Sequence, residues 1–135
     1  MKEFEIDGQQ YRVEQVDPFL QLQVARRLMP LQIAMGLSFS KIGTAMQADD
    51  AKVIEFLGGP VAEFVSKMPH EDFEFLTHTA AAAAKRQQGD RWASVMVGGK
   101  LMFTDIAMKV LLRIVVEFVR ENTGDFFAGL AAPQS

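Results

Sequence analysis

The chain contains no cysteine, and this absence excludes two classes of protein. Without thiols it cannot be a secreted domain held together by disulfides, and it cannot bind a metal through thiolates. A reducing compartment is therefore expected. The first eight residues, MKEFEIDG, carry charges where a signal peptide needs its apolar region, so we expect the protein to stay in the cytoplasm.

Long apolar runs and a strong charge of either sign are also missing. No uninterrupted apolar run reaches the roughly 20 residues that cross a bilayer, so no membrane span is expected. The net charge of -3 and the sequence pI of about 5.4 offer no general attraction to nucleic acid or to anionic lipid. With 135 residues, the chain is long enough to form one domain around its own core.

Tryptophan and tyrosine are scarce, with one of each, whereas phenylalanine and methionine are abundant. The eleven Phe and eight Met residues supply many adaptable apolar side chains. Most of them are expected to fill the core. The same composition is typical of surfaces that accept varied helical partners, so an interaction surface is a second use for some of them.

No arrangement of residues indicates catalysis or a cofactor. His70 and His78 are eight positions apart without an accompanying ligand motif, so we expect no metal site. The glycine pairs at 58–59 and 98–99 lack the pattern of a phosphate-binding loop. The acidic residues within 71–74 suit the positive end of a helix dipole and need no acid–base role. The chain is therefore predicted not to be an enzyme.

Residues 104–122, TDIAMKVLLRIVVEFVREN, are the most apolar segment and predict a long helix. The apolar side chains of this helix cover too wide an arc of its surface for one neighbouring helix to bury. Several elements or a partner protein must therefore surround it. Thr104 and Asp105 are predicted to begin the helix and Gly124 to end it. Four charged residues recur at every fourth position and would form one narrow stripe: Lys109, Arg113, Glu117 and Glu121.

The first part of the chain is predicted to form a β-hairpin followed by helices. Residues 1–16 alternate apolar and charged side chains around an Asp7-Gly8 turn, which is typical of a hairpin. Asp17 as cap and Pro18 at the first helical position begin a helix. Its inner face is predicted to consist of Phe19, Leu22, Ala25, Leu28 and Met29.

Further helices are predicted within residues 17–88. Two short ones are expected at 51–57 and 60–68. A last one is expected to carry Lys85 and Arg86 near its C-terminus, where cations favour the helix dipole, and to end at Gly89.

Residues 89–103 permit a second short hairpin around Gly98-Gly99, and an irregular loop fixed by Trp92 fits them nearly as well. Residues 104–123 are then the long core helix, and residues 124–135 are an apolar tail. The predicted fold is mainly α, a small single-domain helical bundle with an N-terminal β-hairpin. The sequence does not decide whether a second hairpin precedes the long helix.

Five segments together resemble a family of tailed-bacteriophage tail assembly chaperones. They occur in the same order along nearly the whole chain: FEIDGQQYRVE, DPFLQLQVARRL, QQGDRWASV, GGKLMF and ENTGDFF. None is a catalytic signature, so the specificity of the resemblance comes from their combination and spacing.

The resemblance implies a small, mainly helical protein that binds the long helical tape measure protein while the phage tail is built. Such chaperones shield the tape measure from aggregation until tail tube subunits replace them, and they are absent from the mature virion. The implied partners are the tape measure protein and the tail tube protein, and the implied location is the cytoplasm of the bacterial host. Many family members also have a longer form made by ribosomal frameshifting.

Six residues are our candidates for a surface that binds a partner or a second copy of the chain. They combine basic, aromatic and methionine side chains, the types enriched at interfaces: Arg26, Arg27, Trp92, Met102, Phe126 and Phe127. For each residue taken singly, a solvated helix face or a place in the core is the alternative.

Two other functions fit the composition. A small homo-oligomeric structural or adaptor protein of the phage tail, such as a completion or connector subunit, would be present in mature particles, where a chaperone is missing. A DNA-binding regulator would need a basic recognition helix, but the long helix is apolar with mixed charges.

Overall fold

The computed structural model describes residues 2–34 and 66–131, and within them the side chains of residues 2–29 and 66–123. The described elements, in chain order, are β1 (Lys2–Ile6), β2 (Gln9–Val13), α1 (Pro18–Ala34), α2 (His70–Ala82), β3 (Ala84–Gln88), β4 (Arg91–Ser94), β5 (Met96–Val97), β6 (Lys100–Leu101) and α3 (Met108–Ala131). The two short helices predicted at 51–57 and 60–68 lie almost wholly outside the described residues.

The first four strands form an antiparallel sheet in the order β1-β2-β3-β4, and β5 and β6 form a separate pair. The fold is therefore mixed α/β, and the prediction of a mainly α protein is wrong. The error arises at residues 84–88, which form a strand instead of the end of a helix. Helix α2 ends at Ala82, and β3 then pairs with β2, placing Arg86 opposite Tyr11.

The predicted N-terminal hairpin is present, and so is the second hairpin that the sequence left open. Asp7 and Gly8 have positive φ angles of 51° and 80°, the conformation of a two-residue turn that suits the twist of antiparallel strands. The rings of Phe4 and Tyr11 stack across this hairpin with centroids 5.8 Å apart. Gly98 and Gly99 also have positive φ angles, and they join β5 to β6, so the second hairpin is confirmed over the irregular loop.

Helix α1 begins as predicted. The Asp17 side chain accepts a hydrogen bond from the backbone N–H of Leu20 at 3.1 Å, and Pro18 is the first helical residue. Asp17 therefore satisfies one of the exposed amides of the first turn.

Both ends predicted for the long helix are wrong. Helix α3 begins at Met108, and Asp105, the predicted first-turn acid, instead forms an ion pair with Arg86. It also runs through Gly124 to Ala131, so the first residues of the predicted tail are helical. A glycine inside a helix costs about 1 kcal/mol, which a helix this apolar can offset by burial.

Several elements surround α3, as its composition predicts. Its residues Val110, Ile114 and Phe118 belong to the main core. The hairpin, α1 and α2 supply the other side chains of that core, among them Phe4, Tyr11, Val13, Val24, Leu28, Leu76 and Ala80. The structure also buries part of the charged stripe, since Glu117 has no exposed surface and pairs with Arg113 and Arg120.

Candidate partner-binding surface

Helix α1 turns a partly apolar side to the solvent. Phe19 is 83% exposed and Leu22 is 60% exposed. With Gln23 and Arg26, which are also exposed, they follow the three- and four-residue spacing that places side chains on one side of a helix. We call these four residues the α1 outer face.

Two of the five residues predicted for the inner face of α1 are wrong. Ala25 and Leu28 are buried as expected and Met29 packs against the core, but Phe19 and Leu22 face the solvent. Val24 is buried in their place, on the side of the helix that packs against the core.

Two polar contacts fix the rotation of α1. The side chain of Gln21 donates to Asn122 Oδ1 of α3 at 3.2 Å. The guanidinium of Arg27 donates to the Asp72 carboxylate of α2 at 2.5 Å. With 3.6 residues per turn, Gln21 lies nearly opposite Phe19 and Arg27 about a quarter turn from it. Together with the buried Val24, Ala25 and Leu28, these contacts leave the outer face toward the solvent.

The adjacent residues Arg26 and Arg27 have different roles. Arg27 is half-buried, binds Asp72 and stacks 4.2 Å from the ring centroid of Phe75, so it joins α1 to α2. Arg26 is exposed, and no described residue forms an ion pair with it. Of the two predicted basic site residues, only Arg26 is available to a partner.

A shallow depression of about 470 Å³ lies between α1 and α2. Its lining comes from the linker after β2 and from the two helices: Glu14, Gln15, Val16, Leu20, His78, Thr79, Ala82 and Ala83. Glu14 supplies a carboxylate to this lining. Its Oε1 atom lies 3.5 Å from Nη2 of Arg12 and 3.3 Å from Nζ of Lys85. The negative charge of Glu14 is therefore matched within the protein.

The β5–β6 hairpin carries a second set of exposed apolar residues. Met102 is 49% exposed, although its backbone N–H is held by the carbonyl of Val95 at 2.8 Å. This pairing continues the hairpin ladder, so Met102 and Val97 lie on one face and Leu101 on the other. The predicted site residue Met102 is thus exposed, but it lies on a different element from Arg26.

Trp92 lies on a third element, strand β4. The strand register pairs it with Gln87, which places it on the face of the sheet opposite the buried Arg86. The guanidinium of Arg12 lies 4.6 Å from its ring, and the side chain is half-buried. Trp92 therefore packs against its own sheet.

Phe126 and Phe127 belong to helix α3, but their side chains lie outside the described part of the chain. The six predicted site residues do not form one surface among the described residues. Arg26 has two apolar neighbours on the α1 outer face that the sequence analysis assigned to the core, Phe19 and Leu22.

The perturbed pKa values lie away from α1. Hydrogen bonds from Arg86 lower the pKa of the Asp105 carboxyl, and the same contact raises the pKa of Arg86. Burial raises the pKa of the Tyr11 phenol. These shifts arise where β3 meets the segment before α3, so they report on packing there.

The described part of the chain, residues 2–34 and 66–131, contains no group of three or more His, Asp or Glu side chains that could hold a metal ion. Nor does it include a helix with the length and hydropathy to cross a membrane.

Comparison with known proteins identifies a family. No curated protein and no solved structure matches the chain. The model of a family described as "Phage tail assembly chaperone protein, TAC" matches residues 7–132, which is nearly the whole sequence. The chain therefore belongs to the phage tail assembly chaperone family.

Proposed function

We propose that this protein binds the tape measure protein of its phage while the tail is being built, in the cytoplasm of the bacterial host. It leaves before the virion is complete, when the tail tube protein takes its place. The proposal assigns no catalytic activity to the chain. Family membership supports a role in tail assembly, and the α1 outer face supports binding to another polypeptide.

The observation that carries the proposal is the exposure of Phe19 and Leu22 on one side of α1. Moving an exposed Leu or Phe side chain fully out of water contributes roughly 1.5–3 kcal/mol. A helix of the tape measure protein could cover both residues by laying an apolar stripe along α1. The tape measure would gain the same protection for its own apolar residues.

The interaction must also be reversible. Two large apolar anchors with one charged neighbour make a small contact, which favours a complex that the tail tube protein can displace. The hairpin residues Val97 and Met102 are a second exposed apolar pair available to a partner or to a second copy of the chain.

Co-expression with the tape measure protein tests the proposal. We expect the wild-type chain to keep the tape measure soluble and to co-purify with it. The double variant Phe19→Ser, Leu22→Ser should lose both effects while keeping its fold, because neither side chain packs in the core. Met108→Ser is the matched control, since Met108 is 85% exposed but lies on α3.

Mass spectrometry of purified virions tests the other part of the proposal. We expect the protein to be missing from mature particles and present in lysates made during tail assembly. Its presence in virions in amounts comparable to tail subunits would contradict a chaperone that leaves, and would support a structural or adaptor subunit.

A further inference from the structure

We infer that the α1 outer face binds an amphipathic helix that carries a carboxylate, and that Arg26 selects this partner by pairing with that group. The inference rests on the proposed function, because it specifies which segments of the tape measure protein the chain can bind. It also gives the two adjacent arginines different roles: Arg26 selects the partner, and Arg27 holds α1 against α2.

Charge is the first part of the argument. Helix α1 contains no acidic residue, and its charged residues are Arg26 and Arg27. The charge of Arg27 is matched within the protein by Asp72. The charge of Arg26 is exposed beside Leu22 and has no ion-pair partner among the described residues. A partner that covered Phe19 and Leu22 would bring its own side chains close to this guanidinium, where a carboxylate is favoured and a cation is disfavoured.

The spacing along α1 defines the partner's pattern. At 1.5 Å per residue, Leu22 lies about 4.5 Å beyond Phe19 along the helix axis, and Arg26 lies about 6 Å beyond Leu22. A helix packed nearly parallel or antiparallel to α1 would match this with two apolar residues three or four positions apart. An Asp or Glu would lie one turn beyond the apolar residue that contacts Leu22, in the direction of Arg26. It follows that residue in the sequence of a parallel partner and precedes it in that of an antiparallel partner.

A second copy of the chain does not fit this face. If two copies packed their α1 outer faces antiparallel about a twofold axis, Arg26 of each copy would meet Phe19 of the other. If the two helices ran parallel, the two Arg26 side chains would lie side by side and repel each other. Neither arrangement supplies a carboxylate, so twofold pairing of two α1 outer faces leaves Arg26 unmatched, and the occupant we propose is a different polypeptide.

Overlapping synthetic peptides that cover the tape measure protein of the same phage provide the probe. We expect the full-length chain to bind those peptides that contain the apolar pair and the acidic residue at the stated spacing. Arg26→Glu should weaken binding by about tenfold or more, and Arg26→Gln should weaken it less, because it removes the charge without reversing it. Replacing the peptide's acidic residue with Lys should restore binding to the Arg26→Glu variant.

Arg91→Glu is the matched control, since it makes the same charge change at an exposed position of β4. It should bind the peptides like the wild type. Thermal unfolding of each variant checks the fold, and little change is expected because Arg26 is exposed. Measuring the mass of the free chain and its variants shows whether Arg26 acts on self-association instead, an outcome that would overturn the inference.

The possible failures are distinguishable. If the wild type binds the peptides and Arg26→Glu binds them equally well, the inference is wrong and the proposed function stands. If the bound peptides lack the acidic residue, the inference is again wrong. If neither the peptides nor the full-length tape measure protein binds the wild type, the proposed function fails and the inference fails with it.

Discussion

Arg86 and Asp105, which are 19 residues apart, form a bidentate ion pair with N–O distances of 2.8 and 3.0 Å. Arg86 also donates from Nε to the side chain of Gln9 at 3.2 Å and lies 4.6 Å from the ring centroid of Phe103. A single buried side chain of β3 thereby connects the first hairpin to the segment before α3.

Replacing Arg86 with Ala is expected to destabilise the protein. The substitution removes charge-assisted hydrogen bonds to Asp105 and Gln9 and leaves a gap in the sheet, so we expect a loss of about 2 kcal/mol in the free energy of unfolding. Denaturant unfolding measures it. Lys85→Ala is the control on the same strand, where the half-exposed ion pair with Glu14 should contribute less. Equal effects of the two substitutions would contradict a special role for Arg86.

The contribution of Asp105 to stability is expected to depend on pH. Hydrogen bonds from Arg86 lower the pKa of Asp105 in the folded state below its ordinary value of 3.8. The ion pair therefore stabilises the fold above about pH 4, and this stabilisation is lost as the pH falls through the folded pKa. The difference in Tm between the wild type and Asp105→Asn should be largest near neutral pH and should disappear below the folded pKa. A difference that stays constant down to pH 2 would contradict this.

Local patterns predict the hairpins and the start of α1 correctly, because the determining residues are adjacent in sequence. Asp7-Gly8, Gly98-Gly99 and Asp17-Pro18 each set a backbone conformation by themselves. Strand β3 is different. Residues 84–88 pair with a strand more than 70 positions earlier, and that pairing overrides the good helix propensity of the Lys, Arg and Gln residues there.

The candidate site is less predictable than the fold because it depends on the rotation of α1. Phe19 and Leu22 share a helical stripe with Arg26, whereas Leu20, Val24 and Leu28 form a competing stripe at every fourth position. Spacing alone does not choose between the two stripes. The choice depends on long-range contacts that the sequence pattern does not reveal: the packing of Val24 and Leu28 in the core, and the contacts of Gln21 and Arg27 with residues 101 and 45 positions away.

Asn122 is expected to be important for stability because its side chain makes four hydrogen bonds. It accepts from the backbone of Val16 and from the side chain of Gln21, and it donates to the carbonyls of Glu14 and Phe118. These bonds hold the β2–α1 linker against α3. Asn122→Ala should lower the free energy of unfolding by about 2–3 kcal/mol, since it leaves part-buried backbone groups without partners.

Gln21→Ala is the matched comparison for Asn122, because it removes one of these bonds and leaves the linker held by the others. We expect a loss of about 1 kcal/mol or less in denaturant unfolding. If Asn122→Ala costs no more than Gln21→Ala, the backbone contacts of Asn122 do not contribute as the structure indicates.

Glu117 is expected to be the most sensitive charged residue of α3. It has no exposed surface, and it pairs with Arg113 and Arg120, whose side chains are only 14% and 12% exposed. Glu117→Ala leaves both guanidinium groups buried with one less negative charge, so we expect a loss of about 3–5 kcal/mol in denaturant unfolding. Glu117→Gln keeps the volume and one acceptor and should cost less.

Glu74→Ala is the control for Glu117→Ala, because the exposed pair of Glu74 with His70 should contribute under about 1 kcal/mol. Equal stability of Glu117→Ala and Glu74→Ala would mean that the two arginines do not depend on the Glu117 carboxylate.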